Sequence, residues 1–511
     1  MIIIYHNNIS VVKVTGFDGL EIDFDKNINI IDNVLSLSVK NPNEIIVWCH
    51  VQAQDCVDLN FIKDYKLPEN KIVSYCPENQ DFFPKSIGYV ENSPSIKINK
   101  KVTYLTWQMS GLVGFAHASI FNKTKTKKLY HSNFDFYLNN ISRSNILLGL
   151  FCLSEPKLLN SKITNIKTLK ATNANLFRFV KLQLRSRWVF LLFLNFLIYE
   201  NKFLIIPLIK CLFIKQIQPQ NNDFSLPELN VNSTDTIDVL IPTIGRKKYL
   251  YDVLLDLKNQ THLPKNVIII EQNGQKNSVS ELDYLTNQSW PFEIKHIFTH
   301  QTGACNSRNL GLKQLTSDWC FLADDDVRFE NDFLRKCLNN LYSYDYKAVT
   351  VSCLQVGEIN PYKSVFQWFT FGTCSSIVRA DILKNIRFGM GFEFGFGEDD
   401  DFGMKIRNQG VDIAFFNEPQ LLHLKAPMGG FRTKFVQEWH NDLIQPKPSP
   451  TIMLLKQTYS SVQEINGFRT TLFFKYYSVS GIKNPIKYFK YFQKQWQQSL
   501  FWANYLKNKN L

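Results

Sequence analysis

The sequence predicts an α/β protein with a Rossmann-like, mostly parallel sheet in its C-terminal half and a second α/β domain before it. Three observations carry this. At 511 residues the chain exceeds the roughly 250–300 residues at which a single hydrophobic core stops growing. From about residue 235 onward, apolar strand-like runs alternate with helical patterns, the rhythm of a parallel sheet with crossover helices. Residues 1–160 carry shorter apolar runs between Asn, Pro and Asp clusters, a sparser form of the same rhythm. Hydrophobic residues make up 45% of the chain and charged residues 20%, which excludes wholesale disorder and a polytopic membrane protein.

In chain order, the first domain (1–160) holds strand-like runs such as Ile45-Ile46-Val47-Trp48 and Ile72-Val73-Ser74-Tyr75. Residues 161–220 form an apolar and basic helical segment. Its two apolar runs, Trp188 to Tyr199 and Phe203 to Ile209, are interrupted by Glu200-Asn201-Lys202, and Pro207 is expected to break the second. Neither approaches the roughly 20 residues needed to span a bilayer. Lys181, Arg185, Arg187, Lys210 and Lys215 border them. A helix lying on an anionic membrane and a helix buried between domains explain this pattern equally well.

The Pro-, Gln- and Asn-rich stretch from Gln216 to Thr234 reads as a linker. In the third region, 235–440, Asp238 to Pro242 is a strand, Tyr249 to Lys258 a helix and Asn266 to Glu271 a strand. A helix from Asn306 to Leu315 then leads into a strand from Trp319 to Ala323. Ligands of such folds bind beyond the carboxyl ends of the strands. The last region, 441–511, is a helical extension in which aromatics alternate with Lys, as in Tyr488 to Trp496.

A net charge of +13 asks for an anionic partner, whether lipid headgroups, phosphorylated small molecules or nucleic acid. No zinc-finger spacing or aromatic RNA-binding motif is present, so nucleic acid is not an expected partner. The ten cysteines are scattered without a C-x-x-C pair, and Met1-Ile2-Ile3-Ile4 does not open a basic-then-apolar leader. A cytosolic, reducing location is expected, either free or peripheral on the inner face of the cytoplasmic membrane.

Chemistry concentrates at two acidic clusters. Asp324, Asp325 and Asp326 follow the strand ending at Ala323. Adjacent carboxylates repel, and a divalent cation, Mg²⁺ or Mn²⁺, offsets that repulsion while diphosphate oxygens complete its shell. A solvated acidic turn is the bland alternative. Glu398, Asp399, Asp400 and Asp401 leave a Gly- and Phe-rich loop that starts at Gly389 and enters a helix, where acids are also ordinary N-terminal chemistry. Downstream, His423, Lys425 and Arg432 surround a Gly429-Gly430 pair, joining a possible metal ligand to two cations.

From about Thr236 to Arg432 the combination resembles a family 2 glycosyltransferase of the GT-A fold. The segment Val239 to Arg246, with Pro242, Thr243 and Arg246, is similar to that family's first nucleotide-binding segment. Gly303 to Gly311, with Arg308, resembles its Ala-Arg-Asn-x-Gly helix, Asp324 to Asp326 its D-x-D motif, and Gly397-Glu398-Asp399 its acceptor-side E-D motif. One position departs: Glu271 stands where many members place an aspartate against the nucleoside.

The resemblance implies donor contacts from Pro242, Thr243, Arg246, Glu271, Arg308, Asp324 and Asp325. It implies a divalent metal (Mn or Mg) on Asp326 and His423, a general base in Asp399, and Glu398 orienting the acceptor. Lys425 and Arg432 would hold phosphate or an acidic acceptor. The implied reaction is inverting transfer from a nucleotide-sugar donor to a hydroxyl on a glycan or lipid-linked acceptor, in cell-surface polysaccharide synthesis. A metal-dependent nucleotidyltransferase and a non-catalytic membrane- or nucleic-acid-binding protein are the alternatives.

The first domain echoes the second. Asn43 to Gln52 resembles Ser317 to Asp324, and Tyr104 to Phe121 resembles Gln367 to Leu383. Residues 1–160 are therefore expected to form a degenerate GT-A-like domain without a metal site, with chance similarity as the competing explanation.

Overall fold

The computed structural model describes residues 1–509 apart from 92, 94–96, 125–132, 162, 164–169, 218–221, 227–232 and 428–434. The chain divides into two compact units: 1–226 with 460–474, and 227–459 with 475–511. The expected linker from Gln216 to Thr234 lies partly outside the described residues.

Unit 1 is built on strands β1 (Ile2–His6), β2 (Val11–Gly16), β3 (Ile45–His50), β4 (Lys71–Tyr75), β5 (Tyr104–Leu105), β6 (Val113–His117) and β7 (Phe151–Ser154). Its helices are α1 (Ile30–Lys40), α2 (Leu59–Asp64), α3 (Ala118–Lys123), α4 (Phe134–Asn145), α5 (Asn173–Gln183), α6 (Ser186–Glu200) and α7 (Ile205–Leu212). The strands form one seven-stranded sheet in the order β2-β1-β3-β6-β4-β7-β5. Trp48 is fully buried at its centre and donates Nε1 to the Ser110 carbonyl at 2.9 Å. Gly114 on β6 makes room for that ring, since a Cβ there would lie 2.4 Å from Trp48 and 2.6 Å from the Val73 carbonyl oxygen. Pro207 does not break α7. It occupies the first turn, where a missing N–H removes no intrahelical bond.

Unit 2 contains β8 (Ile237–Thr243), β9 (Asn266–Gln272), β10 (Glu293–Thr299), β11 (Trp319–Ala323), β12 (Val327–Arg328), β13 (Ala348–Gln355), β14 (Phe366–Gln367), β15 (Ser375–Arg379) and β16 (Ala414–His423). Its helices are α8 (Lys247–Lys258), α9 (Tyr284–Asn287), α10 (Ala304–Leu312), α11 (Phe333–Ser343), α12 (Ala380–Leu383), α13 (Glu398–Arg407) and α14 (Pro450–Tyr459). Two helices follow in the chain, α15 (Val462–Tyr477), most of which belongs to unit 1, and α16 (Pro485–Lys509) of unit 2.

The nine strands run β10-β9-β8-β11-β15-β13-β16-β12, with β14 paired to β16. Pairing is parallel from β10 to β11, after which β15 runs against both β11 and β13. Strands β9 and β11 are buried throughout, which is why they read as continuous apolar runs rather than alternations. Helix α8 buries Leu250, Val253, Leu254 and Leu257, one stripe at helical spacing. Helix α10 packs tightly on β8 through Gly311, where a Cβ would lie 2.0 Å from Leu240 Cδ1.

The two sheets share a core. In unit 1 the strands β1-β3-β6-β4-β7 lie side by side, and in unit 2 so do β8-β11-β15-β13-β16. Both have the first, second, fourth, third and fifth of these strands in that spatial order. Both pair them parallel, antiparallel, antiparallel, parallel. The segments that echo each other in sequence fall on matching strands: β3 matches β11, and β6 matches β15. The sequence echo between the two halves of the chain therefore falls on strands of one shared topology, which is what the expectation for residues 1–160 requires. Beyond the shared core, unit 2 extends past β8 with parallel β9 and β10, whereas unit 1 extends past β1 with a single antiparallel strand, β2.

Among the described residues no helix is long and apolar enough to cross a membrane. All ten cysteines are free thiols.

Candidate functional site

The carboxyl ends of β8 and β11 lie side by side because the strands pair in parallel, Leu240 opposite Leu322. Thr243 and Arg246 thereby reach the acids that follow Ala323. Thr243 Oγ1 donates to Asp325 Oδ2 at 2.6 Å, and Arg246 lies 2.5 Å from Asp325 Oδ1 and 3.3 Å from Asp326 Oδ2. Asp325 is almost wholly buried, and burial pushes its carboxyl up to about 6 despite the Arg246 guanidinium. Pro242 precedes Thr243 at the strand end and is half-buried.

Asp326 is held from the opposite side. Strand β16 ends at His423, paired with Val327. The chain then turns through Lys425, whose φ of 52° is left-handed, and this points the Ala426 N–H back to Asp326 Oδ2 at 2.8 Å. Burial alone would raise Asp326, but His423, the Ala426 amide and Arg246 together hold it below the usual carboxylate range. Lys425 itself is exposed. Arg432 lies outside the described residues.

One oxygen, Asp326 Oδ1, is buried and accepts no hydrogen bond. His423 Nε2 lies 3.4 Å from it. Atoms of Asp324, Asp326 and His423 all fall within 4.8 Å of one another. Two carboxylate oxygens and an imidazole nitrogen form a donor set that suits Mn²⁺ or Mg²⁺, and a buried, unsatisfied oxygen within that set fits a cation.

Arg308 joins this cluster to the second one. It projects from α10, whose N-terminal amides at Cys305 and Asn306 donate to the Glu393 carboxylate at 3.0 and 2.8 Å. Gly303 makes that cap possible: its φ is 137°, and a Cβ would collide with the Glu393 carboxylate. The buried Arg308 guanidinium reaches Asp324 Oδ1 at 3.0 Å and also lies in the fields of Asp399 and Glu398. Reciprocally, the charge on Asp399 is opposed by burial, favoured by Arg308 and disfavoured by Asp324. The two acidic clusters thus converge on one arginine.

Glu398 and Asp399 occupy the first turn of α13, after Gly397 with φ of 104°. Thr373 Oγ1 donates to Asp399 Oδ1 at 2.6 Å. Burial, and then the adjacent Asp399, push Glu398 up to about 7, and burial raises Asp399 above the usual range. Asp401 is not part of this group. It turns away to Tyr459 at 2.8 Å and Lys405 at 2.6 Å.

Glu271 is the penultimate residue of β9, where burial alone would raise it. Hydrogen bonds from His296 at 2.9 Å, from Ser280 and from the Glu281 amide outweigh burial and keep it ionised. Thr373, Glu393 and His296 were not singled out in the sequence. Each is placed by a loop or a neighbouring strand, and none sits in a recognisable motif. The small-residue run Gly372-Thr373-Cys374 before β15 was the one available signal.

Unit 1 has counterparts to these positions, fixed by register. Residue 45 on β3 matches 319 on β11, each opposite the residue that precedes a helix, so His50, Val51 and Gln52 stand where unit 2 has Asp324, Asp325 and Asp326. The Gly111 amide, matching Thr373, donates to Asp135 Oδ1 at 2.6 Å, as Thr373 does to Asp399. The Ser110 amide donates to Ser74 Oγ at 3.0 Å, as the Gly372 amide does to Thr350 Oγ1 at 3.3 Å. Asp135 therefore matches Asp399, and Phe134 takes the place of Glu398. Phe134 is fully buried, edge-on to His6 at 5.5 Å and to Trp48 at 5.8 Å. The acid triplet is gone from unit 1, and a packed aromatic stands where the second carboxylate would be.

Residues 238–393 match the family model described as "Glycosyl transferase family 2". An uncharacterized glycosyltransferase of Haemophilus influenzae is 30% identical over 102 residues, covering 20% of this chain and 33% of that protein. The glycosyltransferase GlyG of Streptococcus pneumoniae is 20% identical over 244 residues, 42% of this chain and 78% of that protein. The crystal structure of S. aureus TarS 1–349 in complex with UDP-GlcNAc shares 15% identity, covering 46% of this chain and 70% of that one, with a TM-score of 0.35. The chain spans 33% of the length of the first Haemophilus relative and 65% of a second.

Proposed function

We propose that this family 2 glycosyltransferase is an inverting enzyme that transfers a sugar from a nucleoside-diphosphate sugar to a hydroxyl of a glycan or lipid-linked saccharide. One observation carries the reading: Arg308 interacts with both Asp324 and the Glu398/Asp399 pair, so a donor-side and an acceptor-side cluster serve one cleft. The site residues then take these roles. Asp324, Asp326 and His423 would hold a divalent ion, which when bound supplies Lewis-acid neutralisation of diphosphate charge.

Arg246 keeps the acid triplet in place by neutralising Asp325 and Asp326. Glu271, kept ionised by its three donors, accepts hydrogen bonds from hydroxyls of the nucleoside. Arg308 orients Asp324 and keeps a positive field beside Asp399. Asp399, fixed at one oxygen by Thr373, takes the acceptor proton with the other as the new bond forms on the face opposite the leaving diphosphate. Glu398 positions the acceptor beside it. An alcohol is a poor nucleophile, and a positioned carboxylate of raised pKa contributes roughly 10²- to 10⁴-fold.

Lys425 and Arg432 are placed on the phosphate or acceptor side. The setting we assign is cell-surface polysaccharide synthesis at the cytoplasmic membrane face. Incubation with UDP-, GDP- and dTDP-sugars plus Mn²⁺ or Mg²⁺ tests the reading. Metal-dependent release of nucleoside diphosphate with inverted product supports it. Release of pyrophosphate from a nucleoside triphosphate would assign a nucleotidyltransferase instead.

A further inference from the structure

We infer that the outer face of helices α6 and α7 docks on an anionic lipid bilayer, the two helices lying in the interface rather than crossing it. The inference deepens the proposed function, resting on its membrane-side setting and not on its chemistry.

A helix on a soluble surface normally buries an apolar stripe and turns polar residues outward. Here the outward residues are apolar as well. Helix α6 needs only Val189, Leu192, Asn195 and Phe196 to pack on unit 1, and α7 only Leu208 and Cys211. On the other side Phe190 is 50% exposed, Ile198 52%, Phe203 66%, Ile206 64%, Ile209 50% and Phe213 85%. These six fall within 24 residues, on α6, on α7, in their connection and just after α7, a concentration unlike the single exposed apolar residues common to soluble proteins. The connection is compact: Asn201 ends α6 in the left-handed conformation, and Phe203 packs edge-on against Phe193 at 5.5 Å.

Charge decides what covers the patch. Arg187, Lys202, Lys210 and Lys215 are exposed around it, and between 186 and 215 the sole acid is Glu200, ion-paired to Lys202 at 2.8 Å. A second copy packed by two-fold symmetry would set like charges against like. Lipid phosphates meet the cations while acyl chains take up the aromatic and aliphatic side chains, which is the requirement of an interfacial helix. Neither helix reaches spanning length, and no described helix is long and apolar enough to cross.

The test uses the full chain and sedimentation with vesicles of phosphatidylcholine alone or with 30% phosphatidylglycerol added, on the order of the anionic content of such surfaces. The wild type should bind the anionic vesicles and not the neutral ones. The triple substitution Phe203→Ser, Ile206→Ser, Phe213→Ser should weaken that binding at least tenfold with the thermal unfolding transition unchanged, since all three side chains are exposed. Equal binding by the variant, or no preference for anionic vesicles, overturns the inference. So does a vesicle-free oligomer that the same substitutions dissociate, which would assign the patch to a second copy. Nucleoside-diphosphate release with a water-soluble acceptor should be unchanged in the triple variant. A wild-type chain that binds anionic vesicles yet releases no nucleoside diphosphate would count against the enzymatic reading alone.

Discussion

Replacing Asp399 with Asn removes a proton acceptor while leaving the side-chain shape. Thr373 Oγ1, now 2.6 Å from Oδ1, can still donate to the amide oxygen, and Arg308 keeps Asp324 at 3.0 Å. The amide cannot take a proton from an alcohol, so turnover should fall by the full general-base contribution, about 10²- to 10⁴-fold. At 1.36 kcal/mol per factor of ten this is ~2.7–5.5 kcal/mol of activation free energy. Stability should not follow. Burial raises the pKa of Asp399, so its ionised form opposes folding at neutral pH, and a neutral amide leaves the melting temperature equal or higher. The assay is steady-state release of nucleoside diphosphate beside thermal unfolding of the same preparation, with Asp135→Asn as internal control. Asp135 occupies the matching position in unit 1 with a matching 2.6 Å hydrogen bond, and its substitution should leave kcat within about twofold, the range expected of a residue that is not part of the candidate site. A folded Asp399→Asn enzyme that keeps more than a tenth of wild-type turnover, or an Asp135→Asn enzyme that loses as much, would refute the assignment.

Asp326→Asn should abolish transfer and weaken metal-dependent donor binding by at least tenfold, read by titration calorimetry with and without Mn²⁺, because Asp326 Oδ1 is the buried oxygen lacking a hydrogen bond; unchanged donor affinity would remove it from the metal site. Asp135, pushed by burial from 3.8 to about 6, binds its proton more tightly folded than unfolded, so stability falls as pH rises from near 4 to near 6. Two pH units at 1.36 kcal/mol each make this at most ~3 kcal/mol. Asp135→Asn should therefore gain stability over the wild type at pH 8 and little at pH 3.5, measured by urea unfolding. Gly311→Ala places a methyl 2.0 Å from Leu240 Cδ1. Overpacking of about 1–3 kcal/mol, reduced by the ~1 kcal/mol that Ala adds to helix propensity, should lower the urea midpoint and, by shifting α10 and its Arg308, lower kcat as well.

The place of the candidate site was legible in sequence because its acids follow strands that pattern alone reveals. Trp319 to Ala323 is a strand with the expected bounds, β8 differs from expectation by one residue at each end, β9 by one residue at its C-terminal end, and α10 by two or three. Strands buried on both faces are continuous apolar runs, so the acids after Ala323 had to lie beyond the carboxyl end of the strand. What pattern could not supply is the partner of each acid. Arg246, read as a donor contact, lies 2.5 Å from Asp325, a meeting set by the parallel register of β8 and β11. Thr373 reaches Asp399 because β15 is inserted antiparallel between β11 and β13. Sequence distance and local periodicity say nothing about that insertion. The Lys425 turn was equally hidden, since its left-handed backbone belongs to a residue type that gives no sign of it.

The two units show what the site costs when it is kept and when it is lost. In unit 2 Asp325, Glu398 and Asp399 are all held above their ordinary range by burial, a set of charges the fold would not retain for stability. In unit 1 the same scaffold carries His50 and Gln52 in place of two of the triplet's acids, and Phe134 in place of Glu398. These relieve the repulsion and extend the aromatic core around Trp48. Asp135 persists there because it answers a backbone need, satisfying the Gly111 amide at 2.6 Å inside a buried turn, which an apolar replacement would leave unpaired. In unit 1 this carboxylate thus has a structural duty to a backbone amide, whereas in unit 2 Asp399 accepts from the Thr373 side-chain hydroxyl. In unit 2, therefore, Glu398, Asp324 and Asp326, which have no acidic counterpart in unit 1, set the proposed catalytic site apart more clearly than Asp399 does by itself.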